Sequence, residues 1–280
     1  MSNSKDFEGI REFRQWLYSG GEGRAGLPRG SLTNLATKVD VFSGSTDGIS
    51  DHIDEIARIW ADAKGDNSLK ASLQEILLSL HSAGGFVKQS MPQAATVQIE
   101  VIETRKMVGS HMSIGEIKIV NLKAEIQNNT VLRGIYQTAY DSAVSELKGS
   151  KRFWNDFLHG LTFTAYNPVQ EAKDKAAANL TQINALINSS NQKARQLQDF
   201  GRSLEASNNC LGKITNLSGT MTDFQNLITE AKPIIVDAYD KVSRADSTTS
   251  ATMYKRHISK AGPMIDQLII WGNGFKSIKP

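Results

Sequence analysis

The 280-residue sequence contains one cysteine, Cys210, which excludes an internal disulfide framework and any multi-cysteine metal cluster. Proline is sparse, falling only at positions 28, 92, 168, 233, 263 and 280. Because proline is rarely accepted inside a helix, the intervals between them leave room for long helices or helical hairpins. No apolar run approaches the roughly 18 residues of a membrane-spanning helix. The opening Met1-Ser2-Asn3-Ser4-Lys5-Asp6 lacks a cationic-then-apolar signal segment. The expectation is therefore a soluble chain without a transmembrane helix, cytoplasmic as synthesised and released, if at all, without a classical signal. A net charge of +3 is too mild to argue for nucleic acid. Its five histidines, at 52, 81, 111, 159 and 257, are too scattered to form a helical metal-ligand pair.

What is present is enough to fold. Hydrophobic residues make up 40% of the chain and charged residues 22%, which excludes wholesale disorder. Phe7, Ile10, Phe13 and Leu17 share one helical face, with Trp16 beside it. The glycine-rich stretch 19–26 then reads as an exposed loop. Leu32, Leu35, Ala36 and Val39 mark a short helix. Asp47 is placed to start another, carrying Ile49, Ile53, Ile56, Ile59 and Trp60 and stopping at Gly65. A fourth, capped by Ser68, carries Leu69, Leu73, Ile76, Leu77, Leu80 and Val87, with Gly84-Gly85 weakening its last turn.

The middle of the chain admits two readings. Thr96-Val97-Gln98-Ile99-Glu100-Val101 and Glu116-Ile117-Lys118-Ile119 alternate polar and apolar residues, as a two-stranded hairpin would. Val97, Val101 and Ile102 also fit a helical period. Helical spacing is plain again from Leu122 to Leu147. Beyond that, Lys151 to Leu158 reads as a short aromatic helix that could cap a bundle.

The strongest local signal is Asn167-Pro168-Val169-Gln170, with a favoured N-cap, a proline suited to the first helical position and a glutamine at the capping-box position. A stripe follows through Leu180, Ile183, Ile187, Ala194, Leu197, Leu204, Leu211, Ile214, Leu217, Met221, Phe224 and Ile228. It implies one long rod or two helices, with Gly201, Gly212 and Gly219 as candidate breaks. The faces over 179–226 are rich in asparagine, glutamine, serine and threonine instead of Glu/Lys pairs. A last helix over about 251–271 carries Ile258, Ile265, Leu268 and Ile269, bent at Pro263.

Little of this is catalytic chemistry. Gly21-x-Gly23-x-x-Gly26 has dinucleotide-binding spacing but follows a helix, where the motif needs a strand. Asp51, Asp54 and Glu55 cluster with His52 near a helix start, where acids complement the helix dipole. Cys210 lies on the long apolar stripe, as a core residue would. No catalytic residue, cofactor, metal or small-molecule substrate is expected. Charge is uneven, however, with seven basic and two acidic residues over 241–280. Tyr254, Lys255, Arg256, Lys260, Trp271, Phe275, Lys276 and Lys279 combine basic and aromatic character, which suits a membrane or partner contact.

The layout of long Asn/Gln/Ser-rich amphipathic helices with a β-prone insertion resembles α-helical pore-forming toxins of the cytolysin A and haemolysin BL type, over roughly residues 50–275. The resemblance implies a protein that is soluble as a monomer and reorganises at a target membrane. Here the corresponding 92–122 stretch holds Glu100, Glu103, Arg105, Lys106, Glu116 and Lys118, too much charge for spontaneous insertion, which favours a non-inserting component of a multi-part toxin. The expectation is a non-enzymatic all-α protein, an elongated antiparallel bundle of long helices in which 96–120 is either helix or a small β-hairpin. Residues 1–45 would supply N-terminal helices and a glycine-rich loop, and 46–280 the long-helix bundle, together one structural domain. It would act by membrane association or by assembly with protein partners or itself. An intracellular scaffold or adaptor using its long-helix surfaces is the alternative.

Overall fold

Apolar residues recur at steps of three and four through most of the chain, and helices are the only regular elements among the residues described by the computed structural model, 4–63, 69–157, 168–244 and 259–279. In order they are α1 (Ser4–Tyr18), α2 (Gly21–Arg24), α3 (Thr33–Ser45), α4 (Asp47–Ala63), α5 (Leu69–Phe157), α6 (Pro168–Lys213), α7 (Leu217–Arg244) and α8 (Ala261–Lys276). The chain divides into two units. One comprises Met1–Ser110 with Ser203–Pro280, the other His111–Arg202.

In the first unit the predicted stripes converge on one core. Phe7, Ile10 and Phe13 of α1 are buried, as are Val39 and Phe42 of α3, Ile49, Ile53 and Ile56 of α4, and Leu73, Ile76 and Leu80 of α5. Leu204 and Leu211 of α6 and Met221 and Phe224 of α7 are buried with Ile265, Leu268 and Phe275 of α8. An aromatic cluster closes the core. The Phe224 ring lies 5.1 Å from Trp271 and 5.0 Å from Phe275, and Phe7 stands 4.8 Å from Phe275.

The glycine-rich stretch is exposed at Ser19, Gly20, Gly23, Arg24 and Gly26, as its composition suggests, but it includes one helical turn. Residues 21–24 form the turn of helix α2, and Gly21 is buried because any Cβ there would come within 2.4 Å of the Trp16 indole. Gly20 turns the chain with φ 84°, a conformation that L side chains rarely adopt. The Glu22 carboxylate then accepts from the Gly30 and Leu32 N–H groups at 3.1 and 3.0 Å and secures the entry to α3.

Of the two readings of 96–120, the structure takes the helix, and the β-hairpin is absent. Ala94, Val97, Val101, Thr104 and Val108 are all buried, at helical steps along one face of α5. A strand would have placed Ile99 on the same face as Val97 and Val101, yet Ile99 is 59% exposed. The helix also runs through Gly84-Gly85 and Pro92. Pro92 removes one backbone donor, and packing of the stripe on either side carries the helix across it.

α6 starts at Pro168, where the sequence places the first helical residue, while Asn167 lies outside the described residues. The long stripe breaks once, over 214–216, between Gly212 and Gly219, two of the three glycines marked as weak points. A buried carboxylate holds the break. Asp6 of α1, 4% exposed, accepts from the Thr215 N–H at 2.8 Å, the Asn216 N–H at 3.0 Å and the Thr220 hydroxyl at 2.8 Å. It thereby caps the N-terminus of α7 from a distant part of the chain. The Gln98 side-chain oxygen takes a further donor in the first turn, Ser218 N–H, at 3.0 Å. The final helix begins at Ala261, so Pro263 lies in its first turn, where a missing N–H costs nothing. The expected bend is unnecessary there, and the predicted portion 251–258 lies outside the described residues.

Candidate interaction surfaces

Two regions bear on association, and the first is the basic and aromatic C-terminal segment. Tyr254, Lys255 and Arg256 lie outside the described residues. Lys260 is exposed at the start of α8. Phe275 is fully buried, and Trp271 stacks on Phe224, so both rings belong to the core in this conformation. The terminal lysines meet the acids of α4. Lys276 pairs with Asp54, while Lys279 lies 3.0 Å from Asp51 and 3.7 Å from Asp47. The hydrogen bond to Asp51 raises the Lys279 ammonium above its ordinary pKa. The acidic cluster Asp51, Asp54 and Glu55 is thus committed to lysines and to Arg58, which lies 2.6 Å from Glu55. His52 packs beside Phe86 with ring centroids 5.7 Å apart.

The second region is in the unit formed by 111–202. There α5 and α6 share a seam built from Ile119, Leu122, Ile126, Tyr136, Tyr140 and Ala143 on one side. Ala176, Ile183, Ile187, Ser190, Ala194 and Leu197 form the other side. Inside it the Ser190 hydroxyl donates to the Glu125 carboxylate at 3.0 Å. The amide- and hydroxyl-rich stretch of α6 over 181–198 mostly faces solvent, with Ser190 as its buried exception.

On α5 a second apolar stripe remains uncovered. Ile117, Val120, Val131 and Ile135 are 62%, 64%, 61% and 58% exposed, with Ala124 between them, at steps of three, four, seven and four. At about 100° per residue this stripe lies on the side of the helix away from the seam. Ile114 and Leu132 flank it and are also exposed. The polar residues interleaved with it, Ser113, Asn121, Asn128, Thr138 and Ser142, are all uncharged. A helix that is apolar on two opposite faces normally has partners on both. Sequence reasoning assigned this stretch to a strand or to a single helical face and missed the stripe. Its residues were nevertheless visible as a second set offset by half a turn.

Among the described residues no group of three or more His, Cys, Asp or Glu could hold a metal ion, and no helix is long and apolar enough to cross a membrane. Cys210 is buried beside α1, and burial raises its thiol pKa, so little thiolate forms at neutral pH.

By sequence the chain matches no protein-family profile and no curated protein. Among solved structures it is similar to the soluble AhlC of the tripartite alpha-pore forming toxin AHL from Aeromonas hydrophila, at 11% identity over 96% of this chain and 97% of that one, with a TM-score of 0.44. The triple head mutant of soluble AhlC is 14% identical over the same shares, with a TM-score of 0.40. The SmhB pore of the tripartite toxin Smh from Serratia marcescens is 9% identical over 96% of this chain and 91% of that one, with a TM-score of 0.35.

Proposed function

We propose that this chain works by association: a non-enzymatic helical component that applies the open face of α5 to an apolar surface, either a membrane or a partner subunit, as a component of a multi-part α-helical pore-forming assembly would. The observation that carries this reading is the uncharged aliphatic stripe through Ile117, Val120, Val131 and Ile135, on a helix whose opposite face already has a partner. Covering each of these half-exposed side chains contributes on the order of 1 kcal/mol at about 25 cal/mol per Å2. Together with Ile114 and Leu132 the stripe supplies several kcal/mol, the scale of a specific reversible contact. Its uncharged polar positions enter an interface at lower cost than a Glu or Lys would.

The test compares the full chain with the variant Ile117→Glu/Val131→Glu/Ile135→Glu in vesicle flotation and sedimentation velocity. The expected result is flotation with vesicles, self-association, or both for the native chain, weakened at least about tenfold in the variant with helicity unchanged. Self-association with indifference to lipid would favour the scaffold reading of the same surface. A native chain that stays monomeric and away from vesicles across concentration and lipid composition rejects the proposal.

A further inference from the structure

Within the 111–202 unit, residues of α5 and α6 at the edge of their seam line an open cavity of about 400 Å3. Leu122, Leu197 and Phe200, all half-buried, give it an apolar floor. The exposed Lys118 and Lys193, one from each helix, stand on its rim with Glu125. Neither lysine has an ion-pair or side-chain hydrogen-bond partner among the described residues. The Glu125 carboxylate accepts the Ser190 hydroxyl, which ties it to the seam. The rim is therefore net positive, with two free ammonium groups on flexible stems above a hydrocarbon-lined hollow. Its volume falls within the roughly 300–1,000 Å3 typical of small-molecule sites, which likewise combine an apolar lining with a few placed polar groups.

We infer that this cavity binds an anionic amphiphile, with the hydrocarbon tail on Leu122, Leu197 and Phe200 and the carboxylate or phosphate head between Lys118 and Lys193. A tail alone would leave the two ammonium groups unanswered, and a small anion alone would leave the floor wet. One ligand with both parts satisfies the site. The inference does not depend on the open α5 stripe, whose aliphatic residues lie outside the cavity lining.

The experiment titrates the full chain with monomeric cis-parinaric acid, whose fluorescence rises in an apolar site. Saturable binding at one site per chain is expected, weakened at least tenfold in Lys118→Gln/Lys193→Gln and also in Leu197→Ser. Circular dichroism melting checks that each variant is folded, and the exposed lysine pair should melt like the native chain. Parinaryl alcohol should bind the native chain no better than the acid binds the lysine variant, and inorganic phosphate should not compete. Competition by phosphatidylglycerol vesicles, but not by phosphatidylcholine vesicles, would identify a bilayer headgroup as the source. No competition from either would identify a free monomer, and both results uphold the inference. It is overturned if parinaric acid binding is not saturable, if the lysine variant binds as well as the native chain, or if phosphate displaces the probe. The Ile117→Glu/Val131→Glu/Ile135→Glu variant should retain parinaric acid binding, which separates this site from the associating stripe.

Discussion

Asp6 shows how much one side chain does in this fold. It would read from the sequence as an ordinary acid in the first turn of α1, where acids complement the helix dipole. The structure uses it instead to cap α7, with three donors on one buried carboxylate. Removing it strands two backbone N–H groups and a hydroxyl at a helix N-terminus. Asp6→Ala should therefore cost about 2–4 kcal/mol, combining a lost cap with buried donors left unpaired. Asp6→Asn should cost less, because the amide oxygen still accepts. Urea midpoints at neutral pH measure both, and a loss below about 0.5 kcal/mol for Asp6→Ala would mean that solvent replaces the carboxylate. Cys210 makes the complementary point. Its burial and raised thiol pKa should slow reaction with an aromatic disulfide on the order of a hundredfold relative to free cysteine, with the rate recovering in urea.

At the scale of elements, the stripes of α1, α4, α6 and α7 were legible because each helix buries one face and its apolar residues keep a single period. The start of α6 at Pro168 was legible from local chemistry, whereas the break over 214–216 was narrowed only to the neighbourhood of three glycines. The middle of α5 was not, for a definite reason. A helix with two opposite apolar stripes places them about half a turn apart, nearly two residues, so their sum imitates strand alternation. Val97 and Val101 face the core while Ile99 between them is 59% exposed, and Ile117 lies open while Ile119 lies in the seam. The basic C-terminal segment was legible as charge, but not the pairing of Lys276 and Lys279 with α4 acids, because those partners are remote in sequence. Close approach between elements was invisible as well. Gly272 of α8 sits so near α4 that a Cβ would come within 2.2 Å of the Ile53 side chain, whereas Gly201 in mid-α6 faces open space. Gly272→Ala should therefore cost about 1–3 kcal/mol through overpacking, while Gly201→Ala should gain up to about 1 kcal/mol from helix propensity. The same substitution changes sign with its surroundings, and denaturation midpoints of the two variants decide it.

For the whole molecule, the uneven charge of the sequence becomes a set of ties among its helices. Lys276 and Lys279 meet the acids of α4, and Lys213 at the end of α6 lies 2.8 Å from Glu8 and 2.7 Å from Glu12 of α1. These ties give stability a defined pH dependence. The hydrogen bond from Lys213 holds the Glu8 carboxyl below its ordinary pKa, so its contribution is complete above the usual glutamate value of about 4.3 and is lost as pH falls through the lowered native value. Lys213 and Lys279 are raised by their carboxylate partners, so their contribution is complete below about 10.4 and is lost as pH climbs through the raised native values. The urea midpoint should therefore stay level between about pH 6 and 9 and decline on both sides. Lys213→Gln isolates the α1–α6 tie from general acid unfolding. Its midpoint should lie below the native one at neutral pH and converge on it once Glu8 is protonated. Because these groups are partly exposed, 1 M salt should shrink the gap at neutral pH. A gap that stays constant through the acid range would show that Lys213 acts through the packing of its stem and not through its charge.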